Sequence, residues 1–163
     1  MKTQPLNVFI VDDNALMVAG LRNHLYNRFG DEIHISTYLS GKIALANITD
    51  KVNLVILDYF LDGENGNDIL KSIKTKSPAT EVVMLSSNEE MEVAIVAFRN
   101  GASDYVVKGE KSWKKISSLV YDALTYPMRI LVQEFGINKY IAMFLLTFVA
   151  MGLGVFLSLR YIG

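Results

Sequence analysis

Five short strand-like segments, four of them followed directly by a polar residue, alternate with stretches of helical periodicity and constrain this chain more than any other feature. The segments are Leu6–Val11, Glu32–Tyr38, Asn53–Leu57, Glu81–Leu85 and Asp104–Val107. Between them, residues 14–29 place Met17, Leu21, Leu25 and Phe29 at helical spacing, with Gly30 as a stop. Gly41–Ile48 and Asn67–Ser77 read as further helices, the second stopped by Pro78. Glu89–Asn100 reads as a helix with Met91, Ile95 and Phe98 inward, and Ser112–Tyr126 as one with Ile116, Leu119, Val120 and Ala123 inward. Strands alternating one for one with helices predict an α/β fold: a doubly wound, five-stranded parallel sheet covered on both faces. Right-handed crossovers leave few topologies.

The chemistry sits where the strands stop. Asp12 and Asp13 follow the first, Asp58 the third, Ser86 the fourth and Lys108 the fifth. In an open parallel sheet ligands bind at the carboxyl ends of the strands, so these side chains are expected on one rim. Crowded carboxylates disfavour one another's ionisation, and a divalent cation relieves this. The chain has no cysteine and two histidines, so oxygen donors predict Mg²⁺, with Mn²⁺ as the alternative. Lys108 adds a compact positive charge and Ser86 a hydroxyl. Together they suit a tetrahedral dianion attached to one carboxylate. Asp58 is the candidate nucleophile: it ends the most apolar strand and precedes a loop rich in Gly and Asn, and a carboxylate can form an aspartyl phosphate.

The segments FIVDD, VILDYFLDGENG, VVMLSS and GASDYVVK, in this order over residues 5–126, resemble the receiver domain of two-component response regulators. The resemblance implies a CheY-like, flavodoxin-like fold with strand order 2-1-3-4-5. It implies that Asp58 accepts the phosphoryl group, that Asp13 binds Mg²⁺ directly and Asp12 through water, and that the backbone carbonyl of Phe60 is a further ligand. Ser86 matches the switch hydroxyl, Lys108 the lysine of the site, and Tyr105 the aromatic that rotates inward. The expected partners are a sensor histidine kinase or histidine phosphotransfer protein and an output protein. The expected role is that of a phosphoryl acceptor that assists its own phosphorylation and dephosphorylation, not of an enzyme with a separate substrate. Two departures stand out. Gly109 follows the lysine where the family places proline, and Leu61-Asp62 replaces Met-Pro.

Blander readings exist for the same residues. Asp12-Asp13 could cap the first helix, since Asp is a good N-cap. Tyr105 and Trp113 could be packing residues, Lys108 a solvated lysine, and Glu89-Glu90-Glu92 a solvated helical face. His24 and His34 carry no assigned chemistry. A phosphohydrolase of the haloacid dehalogenase type also uses a strand-end aspartate, but it needs a second aspartate where Phe60 stands. A phosphorylation-independent, membrane-tethered scaffold is the alternative that the two departures motivate.

Past Pro127 the composition changes. The first 127 residues carry a net charge of −3, whereas residues 128–163 carry Arg129, Lys139 and Arg160 against Glu134. With a net charge of −1 over the whole chain there is no basic field to hold nucleic acid. The run Tyr140–Leu159 holds no charged residue, and its length at about 1.5 Å per residue matches a hydrocarbon core of about 30 Å. It reads as a transmembrane helix with Lys139, Tyr140, Arg160 and Tyr161 at its edges. Residues 160–163 form a short tail, and 127–139 an amphipathic linker with Met128, Leu131, Val132 and Phe135 on one stripe. That linker could lie in the headgroup plane, pack on the body or extend its last helix. The expectation is a receiver domain over 1–126, tail-anchored at the cytoplasmic face of the cell membrane as a single-pass protein. Ala150, Gly154 and Ser158 form a ridge of small residues on which two such helices could pair as a homodimer.

Overall fold

The computed structural model describes residues 5–135, 143–144 and 146–152, the stretch 126–135 by its backbone alone. The first compact unit spans Met1–Ala123 and the second Leu124–Gly163. In the first, β1 (Leu6–Val11), β2 (Ile33–Tyr38), β3 (Leu54–Asp58), β4 (Glu81–Ser86) and β5 (Asp104–Val107) form one sheet in the order β2-β1-β3-β4-β5. Every pairing is parallel, with Val8 opposite Leu54, Asp58 opposite Leu85 and Ser86 opposite Val107. The helices are α1 (Ala15–Phe29), α2 (Gly41–Asn47), α3 (Gly66–Lys76), α4 (Met91–Arg99) and α5 (Ser112–Phe135).

All five residues of β3, the central strand, are buried, as a strand covered on both faces requires. Side chains alternate across the sheet. Phe9, Val11, Val55 and Leu57 join one cluster with Ala44, Ile69, Leu70, Ile73 and Ala97 from α2, α3 and α4. Val8, Ile10, Leu54 and Ile56 point the other way and are equally buried, as are Leu21 and Leu25 of α1 and Ile116 and Val120 of α5. α1 and α5 are tied further by a 2.9 Å hydrogen bond between His24 Nε2 and Ser117 Oγ, and by Trp113, whose ring lies 5.4 Å from that of His24. A Cβ on Gly20 of α1 would sit 2.8 Å from the same indole. Trp113 is therefore a packing residue, as the blander reading expected.

Three expectations change. The first concerns α4, where Met91 is 73% and Phe98 49% exposed and Ile95 is exposed too; Ala97 is the buried residue, with Val93 and Ala94 half-buried. The helix lays its small side chains on the sheet and turns its bulk outward, the reverse of the inward stripe read from hydrophobicity. The second concerns the loop after β3, which contains a two-residue antiparallel hairpin with Phe60 opposite Asn65 and Leu61 opposite Glu64. Gly63 turns it at φ +68°, a backbone region that favours glycine. The third is the last helix, which does not end at Tyr126 but continues through Pro127 to Phe135; residues 136–139 of the expected linker lie outside the described residues.

The expected transmembrane helix over 140–159 finds no support in the structure. Among the described residues no helix is long and apolar enough to cross a membrane. Most of the run, with Gly154 and Ser158, lies outside the described residues; 143–144 and 146–152 are helical, and their large apolar side chains are exposed. The tail 160–163 lies outside them as well.

Candidate functional site

The carboxyl ends of β1, β3, β4 and β5 share one rim, and the residues that follow them meet there. Lys108 Nζ donates to Asp12 Oδ2 at 2.8 Å and to Asp58 Oδ2 at 2.6 Å. Asp12 is 1% and Asp58 3% exposed, whereas Asp13 is exposed. The second oxygen of each buried carboxylate is also engaged: Asp12 Oδ1 accepts from Asn14 N at 2.8 Å, and Asp58 Oδ1 from Phe60 N at 3.2 Å. The acidic pair does not cap α1. Asn14 does, its side-chain oxygen accepting from Leu16 N and Met17 N, which leaves both aspartates to the rim.

Lys108 reaches the carboxylates although glycine follows it. Its backbone N–H donates to Ser86 O at 2.7 Å, continuing the ladder between β4 and β5. The next turn is closed on the carbonyl of Gly109, which accepts from both Ser112 N and Ser112 Oγ.

Burial pushes the Asp58 carboxyl above the ordinary carboxylate range, and the nearby Asp12 charge adds to this; the hydrogen bonds from Lys108 and from Phe60 N–H act in the opposite sense. Burial by itself would lower Lys108, but its hydrogen bonds to Asp12 and Asp58 outweigh this and hold it above the usual lysine value. The rim thus sets two buried carboxylates on one ammonium, with the carboxylate of Asp13 near them.

Ligand oxygens of Asp12, Asp13 and Asp58 lie within 4.8 Å of one another. The set is all oxygen, one member faces solvent, and no nitrogen or sulfur donor takes part. Such donors fit a hard divalent cation that keeps part of its water shell, so the expected Mg²⁺ is compatible with what is here.

Ser86 and Tyr105 are joined through the backbone of Asn88. Ser86 is fully buried and its Oγ accepts from Asn88 N at 3.0 Å; Tyr105 Oη donates to Asn88 O at 2.9 Å. The backbone of Asn88 therefore bridges the hydroxyl at the end of β4 to the half-buried aromatic ring of β5. Phe60 is 54% exposed and meets Tyr59 edge to face, ring centres 4.7 Å apart. His34 is exposed, and so are Glu89, Glu90 and Glu92, but only Glu92 lies on α4, which begins at Met91, so the three are solvated without forming one helical face.

One further acidic residue lies in the hairpin that follows Asp58, opposite Leu61. Glu64, in the hairpin after Asp58, accepts hydrogen bonds from Ser40 and Lys42 at the start of α2. Its partners lie more than twenty positions away, and no local pattern announces them.

The family model for the response regulator receiver domain matches residues 8–118. Among curated proteins, the transcriptional regulatory protein MalR of Bacillus subtilis is 28% identical over 105 residues, which cover 63% of this chain and 44% of that protein. The regulatory protein LuxO of Vibrio cholerae is 30% identical over 100 residues, covering 61% and 21% respectively. The chain thus spans less than half the length of these relatives. Among solved structures, the receiver domain of NtrX from Brucella abortus is 31% identical with a TM-score of 0.64, covering 72% of this chain and 97% of that one. The signal receiver domain of a putative LuxO repressor from Vibrio parahaemolyticus gives a TM-score of 0.68 at 21% identity, covering 79% and 98%.

Proposed function

Since the chain belongs to the response regulator receiver domain family, we propose that it accepts a phosphoryl group on Asp58 in a two-component relay and passes the change to a partner protein. The observation that carries this reading is the convergence of Asp12, Asp58 and Lys108 within 2.8 Å contacts on the strand-end rim, with Asp13 beside them. An Asp58 oxygen attacks the phosphorus of a phosphohistidine or a small phosphodonor, an O–P bond forms, and the bond to the donor breaks. Lys108 stays charged and compensates the growing negative charge on the transferred group. Asp12, Asp13, Asp58 and the Phe60 carbonyl are the residues that would hold Mg²⁺, which supplies charge neutralisation. Donors are a histidine kinase or a histidine phosphotransfer protein.

Phosphorylation acts as a local charge switch on a two-state element. Ser86, Asn88 and Tyr105 form that element in this reading, because one hydrogen-bonded path links the rim to β5. Next to it, an open groove of about 430 Å³ is lined by Glu89, Tyr105, Lys108, Lys111 and Lys115, among others. The outward bulk of α4 also supports this side of the unit as the partner-binding surface.

Incubation with acetyl phosphate and Mg²⁺ should add one phosphoryl mass to the wild-type chain and none to Asp58→Asn. Equal labelling of both would end the proposal. The uncharged run 140–159 supports a second element of the reading, attachment of this module to the cytoplasmic face of a membrane. Leu146→Lys with Val149→Lys in the full chain should then move it from the membrane fraction to the supernatant. Recovery of the wild type in the supernatant would remove the attachment.

A further inference from the structure

The hairpin behind Asp58 is fastened at both strands. On the first, Leu61 is buried and Phe60 N–H donates to Asp58 Oδ1. On the second, the Glu64 carboxylate leaves the loop: Oε1 accepts from Ser40 Oγ at 3.1 Å and Oε2 from Lys42 N at 3.2 Å. Ser40 is itself the N-cap of α2, its hydroxyl accepting from Ile43 N at 3.4 Å. Gly41 makes the approach possible, because a Cβ there would lie 2.7 Å from Glu64 Oε2 and 2.7 Å from Ile69 Cγ1. Glu64 pairs with Leu61 and Asn65 with Phe60. Whatever fixes Glu64 therefore fixes the strand that carries the Phe60 carbonyl. Asp12, Asp13 and Asp58 sit on or directly after core strands, so Phe60 is the one member of the expected cation set whose place depends on a surface hairpin.

We infer that Glu64 is a positioning residue: by bridging the hairpin to the first turn of α2, it holds the Phe60 carbonyl in register with the three aspartates for a divalent cation. The inference rests on the Mg²⁺ reading above and adds the residue that sets its geometry. Coupling of this kind is reciprocal. If the bridge favours the cation, the cation must favour the bridge by the same factor, so Mg²⁺ should protect the first amides of α2 through Glu64.

The test uses the full chain, Mg²⁺ titration by calorimetry, and amide hydrogen exchange at Lys42 and Ile43. Glu64→Ala should weaken Mg²⁺ binding about tenfold, the low end for partners that orient a metal ligand. Glu64→Gln keeps an acceptor oxygen and should lose less than about threefold, since the neutral hydrogen bond survives. Mg²⁺ should slow exchange at Lys42 in wild type and leave it unchanged in Glu64→Ala. Unchanged affinity in Glu64→Ala, with binding abolished in Asp13→Asn, overturns this inference alone, even if the variant melts earlier. A wild type that binds no Mg²⁺ overturns the parent reading together with it.

Discussion

Gly66→Ala puts the architecture of the rim to a sharp test. Gly66 opens α3 directly behind the phospho-acceptor candidate, and its N–H donates to Tyr59 O at 2.9 Å. A Cβ there would lie 2.5 Å from Asp58 O, 2.8 Å from Tyr59 Cα and 2.8 Å from Tyr59 O. All three are backbone atoms, so no side chain can turn away, and ordinary contact begins near 3.4 Å. Either α3 retreats from the sheet or the end of β3 tilts. Overpacking of this kind costs about 1–3 kcal/mol. Strain on the Gly66–Tyr59 hydrogen bond adds about 1 kcal/mol. The better helix propensity of alanine returns at most about 1 kcal/mol. The expected net loss is about 2 kcal/mol, or roughly 6–10 °C in Tm for a unit of this size. Because the displaced backbone is that of Asp58 itself, phosphoryl acceptance measured well below the melting range should fall as well. Gly63→Ala is the matched control from the same loop. Nothing lies within 4 Å of its Cβ, and its φ of +68° costs about 1 kcal/mol in any L residue. It should destabilise less and leave acceptance intact. Thermal and urea unfolding, with acetyl phosphate labelling, decide the matter. A Gly66→Ala chain as stable and as readily labelled as wild type would refute the close approach of α3 to Asp58.

Lys108→Met removes both short contacts and leaves two buried carboxylates facing each other, so metal-free stability should drop by about 1–3 kcal/mol in urea titrations, with labelling of Asp58 lost. The raised folded-state value of Asp58 means that the folded chain holds this proton more tightly than the unfolded one. The penalty of the charged group is therefore complete above the folded value and relieved as pH falls through it. In EDTA, Asp58→Asn should stabilise the chain near neutral pH, and this advantage should shrink on acidification; a gap that widens towards acid contradicts the assignment. Lys108 behaves oppositely: its stabilisation is present below about 10.5 and is lost as pH rises through its higher folded value, which alkaline melts of wild type against Lys108→Met will report. Mg²⁺ at one hundred times its Kd should add about 2.7 kcal/mol to wild type, and Asp13→Asn should abolish this increment while barely changing metal-free stability, because Asp13 is exposed.

The rim was legible in the sequence because a parallel sheet brings every strand end to one edge. Asp12, Asp58, Ser86 and Lys108 each follow or end a run of apolar residues, and that alone predicts their meeting. The hydrogen bonds between loops were not legible. The Asn88 bridge from Ser86 to Tyr105 depends on how one loop folds back on itself, and the Glu64 contact joins two loops whose spacing carries no periodicity. The α4 error has a different cause. Hydrophobic periodicity reports that a helix has an apolar side, but in a helix with alanines on one side and Met, Ile and Phe on another it does not say which side the sheet takes. Close approach to the sheet favours the small side, leaving the larger side chains exposed.

The same distinction bears on the scaffold alternative. Two departures motivate it, Leu61-Asp62 in place of Met-Pro and Gly109 in place of proline, and proline stiffens a loop by restricting φ. Here hydrogen bonds hold the loop instead. Lys108 N–H is fixed on Ser86 O, the Gly109 carbonyl takes two donors from Ser112, and the ammonium ends 2.6 Å from Asp58. Glycine at 109 leaves the unfolded loop more freedom to lose, which weakens stability slightly, but it does not withdraw the positive charge from the carboxylates. The departure at Gly109 thus bears on loop stiffness, and of the two departures behind the scaffold reading only Leu61-Asp62 is left to support it.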